Sequence, residues 1–127
     1  MSGLSPAVRL RLARVAESSR RHAAEQRKLD AQYLAAAQAE AASAPLFPRP
    51  AHRVPAWVLA HHDAMAVACG MLAEGSTVEE AQAWAREVMK AHGEPYDRWC
   101  AEMIANTVVR IERDLRRGRR EDSEVAA

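Results

Sequence analysis

Residues 56–93 decide the fold, and they read AWVLAHHDAMAVACGMLAEGSTVEEAQAWAREVMKAHG. The first half, residues 56–74, is apolar nearly all round, which is typical of a helix buried on every side. Three of its alanines recur every four residues and would let a second helix approach closely: Ala60, Ala64 and Ala68. The stretch therefore predicts a central, buried helix.

A second helix follows Gly75, a residue type that stops helices by adopting a left-handed conformation. Ser76 lies three residues before Glu79, the spacing of a capping box, so we expect this helix to begin at Ser76. We expect it to end at His92-Gly93. Its apolar residues follow helical spacing, with Trp84 beside them: Val78, Ala81, Ala85, Val88 and Met89.

The last predicted helix opens at Glu94 and Pro95. Its apolar residues recur every 3.6 residues over about five turns: Tyr96, Trp99, Cys100, Met103, Ile104, Thr107, Val108, Ile111 and Leu115. We predict a three-helix bundle over residues 56–118 and a disordered tail over residues 119–127.

A proline-rich hinge precedes the bundle, because residues 44–55 (APLFPRPAHRVP) contain four prolines that no helix crosses. A PxxP-type ligand is an alternative for this segment, with a plain linker favoured. Residues 1–43 predict one long basic amphipathic helical arm, capped by Ser5 with Pro6 in its first turn. Its apolar stripe is polar at the centre, so the arm is either half of a weak dimer seam or a cover over the bundle.

Composition supports an all-α fold: the 127 residues include 28 Ala and 16 Arg against 5 Gly. Charge is segregated, with an acidic middle between two basic ends and a net charge of +1. We expect no membrane span and no secretory signal, and we favour a helical start over an organellar transit peptide. The two cysteines, Cys69 and Cys100, fit buried thiols in the cytoplasm.

Catalytic and cofactor motifs are not visible in the sequence, so we predict no enzyme activity and no cofactor. A metal site built from His61, His92, Cys69 and Cys100 is disfavoured, because structural zinc sites usually contain a short-range ligand pair. The histidines are expected at the rim of a helix.

The predicted bundle is small for a self-sufficient core, since a domain of about 60 residues buries only about 60% of its unfolded surface. We expect the arm, a second copy or a partner to cover it. The sequence therefore favours a small protein–protein interaction module (a regulator, adaptor or assembly factor), of a kind that a phage or mobile element could encode.

A dimeric DNA-binding regulator is the alternative. Residues 72–85 (LAEGSTVEEAQAWA) resemble the first helix of a helix-turn-helix, although Ala85 stands where the turn commonly has glycine. Arginines near the helix ends could neutralise phosphates or contact a protein partner. The candidate binding residues are Arg9, Arg14, Arg20, Arg21, Arg110, Arg113, Arg116 and Arg117.

Overall fold

A computed structural model describes residues 3–43, 52–95 and 98–126, with side chains at residues 3–43, 52–95 and 101–119. These residues form four α-helices and no strand, which confirms the all-α fold class. The helices are α1 (Pro6–Ala42), α2 (Ala56–Glu74), α3 (Val78–Ala91) and α4 (Arg98–Ala126).

Helices α1 and α2 form an antiparallel pair, the most extensive helix contact among the described residues. Near its start, α1 lies beside the end of α2, since Arg9 Nε donates to the carbonyl oxygen of Ala73 at 2.8 Å. Further along α1, Asp30 accepts from the backbone N–H of Val54 at 2.9 Å, just before α2 begins. The N-terminal helix therefore covers α2, one of the two roles expected for it.

The described end of the hinge is fastened to α1 by an ion pair. Arg53 donates to both carboxylate oxygens of Asp30 at 2.7 Å. These bonds, together with the one from Val54, lower the pKa of Asp30 to about 2. The ring of His52 also meets that of Tyr33 edge-on, with 4.6 Å between centroids. The hinge prediction for residues 44–51 lies outside the described residues.

All four helices share one hydrophobic core. Helix α1 contributes Val8, Leu12 and Ala16, and the predicted alanine stripe of α2 is buried against its neighbours. The remaining core residues are Met65, Cys69, Leu72, Ala81, Ala85, Met89, Ile104 and Val108. The C-terminal helices do meet, but α1 packs on α2 more extensively than α3 or α4 does. The N-terminal helix is thus part of the core and not an appendage to it.

Two chain reversals have helix-ending motifs that the glycines make possible. At the end of α2, Gly75 has φ of 107°, and its N–H bonds Leu72 while the next N–H bonds Met71. This pattern is a Schellman motif, and it confirms the predicted stop. Gly93, with φ of 73°, ends α3 in the same way.

The predicted start of α3 is wrong by one residue. Thr77, not Ser76, is the N-cap, and its hydroxyl accepts from the N–H of Glu80 at 3.2 Å. Its hydroxyl also lies 3.1 Å from the Glu80 carboxylate. The N–H of Ser76 bonds the carbonyl oxygen of Met71, so Ser76 belongs to the chain reversal after α2. The N-cap therefore forms at Thr77, with Glu80, and not at Ser76.

Helix α4 differs from its prediction at its C-terminal end. It is described from Arg98, and residues 96–97, which follow the predicted opening at Glu94 and Pro95, lie outside the described residues. The helix continues to Ala126, where the sequence predicts a disordered tail over residues 119–127. Gly118 does not end the helix, because it keeps a negative φ, and the residues after it lack proline. The expected burial of Trp99 and Cys100 concerns side chains outside the described ones.

Among the described residues, α2 is the one helix long and apolar enough to cross a membrane. It lies at the centre of the fold, with seven residues buried by the other helices. The core of a folded domain accounts for such a composition.

Candidate interaction surface

Asp63 of α2 contacts the helices on both sides of it. Its carboxylate accepts a bidentate pair of hydrogen bonds from Arg27 of α1, one of them 3.1 Å long. It also lies 2.9 Å from Nε2 of His92, which caps the end of α3. Because both neighbours reach the same side chain, α1 and α3 must flank the stripe of α2 that carries Asp63.

The stripe of α2 that contains Asp63 forms a strip of surface between α1 and α3, which we call the floor. Val67, Gly70 and Glu74 follow Asp63 at intervals of four, three and four residues, so all four lie on one side of α2. Val67 is 36% exposed although it belongs to the most apolar helix. Among the described residues, α1 and α3 make no direct helix contact across this stripe. The floor between them is therefore uncovered.

Helix α4 packs on the side opposite the floor, against the layer that α1, α2 and α3 form. Gln82 of α3 reaches it by donating to the carbonyl oxygen of Ala101 at 2.9 Å. Trp84 is two residues further on, about 200° around the helix, and so lies on the flank away from α4. It is 57% exposed. The side of the layer that α4 leaves uncovered therefore carries a large aromatic side chain.

The two helices that border the floor, α1 and α3, present edges of different charge on this uncovered side. On α1, one stripe carries three arginines and one small residue: Arg9, Ala13, Arg20 and Arg27. On α3, the stripe that contains Trp84 is acidic: Glu80, Glu87 and Ala91 accompany it. We use the term open face for these two stripes together with the floor on α2.

The ends of the open face are closed by long-range polar contacts. At one end lies the Asp63 group, in which burial raises the carboxyl pKa but Arg27 and His92 outweigh it, so the net shift is downward. At the other end, the Arg9 guanidinium bonds Ala73 and lies over Gly75. It supplies positive charge to a helix end whose own last turn contains no basic residue.

The eight predicted binding arginines do not converge on one groove. Arg9 is held by the end of α2, and Arg20 lies at the basic edge of the open face. Arg116 lines a cleft beside the start of α1, formed with Leu4 and Leu115. The others are exposed on faces opposite the buried residues of α1 or α4: Arg14, Arg21, Arg110, Arg113 and Arg117.

A histidine cluster lies on the other flank of α1, away from the open face. The ring of His22 stacks on that of His62 with 5.6 Å between centroids, and His61 lies beside it. Desolvation lowers the pKa of His62, and the neighbouring His22 lowers it further. Desolvation followed by His62 lowers the pKa of His61. In the described part of the chain, no three potential ligands are placed to hold a metal ion.

The remaining groups that could react are the Cys69 thiol and the Asp63–His92 pair. Cys69 is a free thiol buried completely in the core, and burial raises its pKa to about 11. Asp63 lies beside His92, as a catalytic carboxylate would, but its oxygens are also occupied by Arg27. Both groups act as parts of the packing between helices.

Sequence reasoning missed the open face. The sequence predicts that residues 56–74 form a helix buried on every side and places Trp84 beside the apolar residues of α3, yet Trp57 is 56% exposed and Trp84 57% exposed. The available signal was the position of Trp84 outside the Ala81–Ala85–Met89 stripe, which alone is buried on α3.

Comparisons with protein-family models, curated proteins and solved structures found no match to the chain.

Proposed function

We propose that the protein is a non-enzymatic interaction module that binds another polypeptide chain through the open face. One observation carries this proposal: Trp84 and Val67 stay exposed on the side of the helical layer that α4 leaves uncovered. Tryptophan is enriched among the residues that dominate binding energy in protein interfaces. A regulator, adaptor or assembly factor is the kind of protein we expect, acting in the cytoplasm, where a free buried thiol such as Cys69 is stable.

Site-specific photocrosslinking in cells tests the proposal. A photoreactive phenylalanine analogue replaces Trp84 in one variant and Val109 of α4 in the control, which is 58% exposed and thus equally accessible. We expect a protein adduct from position 84 and none from position 109. Adducts of the same proteins from both positions, or none from position 84, would contradict the proposal.

Nucleic-acid binding is the second candidate, and one arrangement favours it. Arg110, Arg113 and Arg117 recur at intervals of three and four residues, on the side of α4 opposite Ile104 and Val108. If this stripe contacts phosphates, the protein should be retained on heparin, and the logarithm of its binding constant for duplex DNA should fall linearly with the logarithm of the salt concentration, with a slope close to 0.9 per phosphate contact. Replacing the three arginines by glutamine should then flatten the slope. The interaction-module proposal expects weak retention and no such change.

A further inference from the structure

The charges of the open face indicate what covers it. One edge, on α1, is basic through Arg20 with Arg9 and Arg27 beside it, while the other edge, on α3, is acidic through Glu80 and Glu87. Between them lies the floor on α2, where the exposed Val67 is flanked by Asp63, which contacts Arg27 and His92, and by Glu74. A complementary partner for this surface presents an acidic stripe and a basic stripe on either side of a strip that packs on Val67.

A second copy of this chain has that pattern when it is turned about a two-fold axis parallel to α2. Such a rotation exchanges left and right, so the basic edge of each copy faces the acidic edge of the other. The two floors then meet at Val67. A two-fold axis perpendicular to α2 would instead place basic edge on basic edge, which like-charge repulsion disfavours.

Positions along the helices agree with the same axis. Ala16 of α1 lies beside Gly70, with 3.9 Å between its Cβ and the place a Gly70 Cβ would take. Asp63 lies at the level of His92 along the helices. Because the chain reverses between α2 and α3, Trp84, eight residues before His92, lies near the level of Gly70, seven residues after Asp63. Rotation about an axis along α2 keeps these levels. The indole of Trp84 therefore faces Ala13 of the other copy, an exposed small residue one turn from Ala16.

We propose that the open face is the interface of a two-fold homodimer, in which α1 of each copy lies over α3 of the other. This inference rests on the proposed function and names its partner. Arg20 of one copy and Glu87 of the other lie within about one turn of each other along the axis, close enough for long side chains to pair. Trp84 fills the space left by Ala13, and the two Val67 side chains meet at the axis.

Sedimentation equilibrium of the full chain over a range of concentrations tests the proposal. We expect the mass to rise from 14.0 kDa to twice that value. Trp84→Ala should raise the dissociation constant at least about a hundredfold, because each dimer contains two such anchors. Trp57→Ala is the matched control, since Trp57 is 56% exposed on the first turn of α2, outside the open face. It should leave the dissociation constant unchanged.

A charge exchange tests the orientation of the two copies. Arg20→Glu and Glu87→Arg should each weaken the dimer roughly tenfold, because each reversal creates two repulsive pairs. The double variant should restore the wild-type dissociation constant within about threefold, since the pairs are again of opposite sign. Arg14→Glu and Glu25→Arg, on the outer face of α1, are the controls. Circular dichroism confirms that each variant is folded.

Two results would overturn the homodimer. One is a mass of 14.0 kDa at every concentration, and the other is a dimer that neither Trp84→Ala nor the charge reversals weaken. Photocrosslinking from position 84 separates these failures from failure of the proposed function. An adduct with a different protein, combined with a monomeric mass, retains the interaction module and rejects the second copy. A monomeric mass without any adduct rejects both.

Discussion

At the scale of single residues, Cys69 illustrates how burial suppresses reactivity. Its thiol is completely buried, and its pKa is raised to about 11, so almost no thiolate exists at neutral pH. We predict that iodoacetamide leaves Cys69 unmodified in the folded protein and modifies it rapidly in denaturant. Peptide mapping by mass spectrometry distinguishes it from Cys100. Rapid labelling of Cys69 under native conditions would contradict its assigned burial.

His62 should make stability depend on pH. Desolvation and the nearby His22 lower its pKa in the folded state below the ordinary value of 6.5. The fold thus favours the neutral ring, and this stabilisation is present above pH 6.5 and lost as pH falls through the folded pKa. We predict that acidification from about pH 7.5 to about pH 5.5 lowers the melting temperature less in His62→Gln than in the wild type. Equal losses in the two proteins would contradict the prediction.

At the scale of the helix, the capping of α3 separates two adjacent hydroxyl residues. Thr77 accepts the hydrogen bond from the N–H of Glu80, whereas Ser76 belongs to the preceding reversal. Thr77→Ala should lower the free energy of unfolding by about 1 kcal/mol, the usual cost of losing an N-cap. Ser76→Ala should cost clearly less. Urea unfolding of both variants measures the difference, and a larger loss for Ser76→Ala would place the cap one residue earlier.

The individual helices could be predicted from local patterns because their causes are local. The Ser5 cap, the Gly75 stop and the four-residue spacing of the alanines in α2 all involve residues within a few turns of each other. The open face could not be predicted in this way. A helix that is apolar all round gives no indication of which side its neighbours leave uncovered. The contact of Arg9 with Ala73 likewise spans 64 residues of sequence.

At the scale of the whole molecule, substitutions of two leucines in α1 test whether this helix belongs to the core. Leu12 is completely buried, while Leu10, two residues earlier, is 56% exposed. Leu12→Ala should lower the free energy of unfolding by about 2–5 kcal/mol, because it removes buried methyl groups and leaves a cavity. Leu10→Ala is the matched control and should change it by less than about 0.5 kcal/mol. Similar small effects in both variants would mean that α1 is not fixed in the core.

The central claim is that all four helices form one core, so that α1 both stabilises the domain and supplies the basic edge of the open face. Removing residues 1–43 tests this claim most directly, with thermal unfolding of the remaining chain followed by circular dichroism. We predict the loss of the cooperative transition, since the shortened chain lacks Val8, Leu12 and Ala16. A monomeric fragment that unfolds cooperatively at the same temperature as the full chain would contradict the claim.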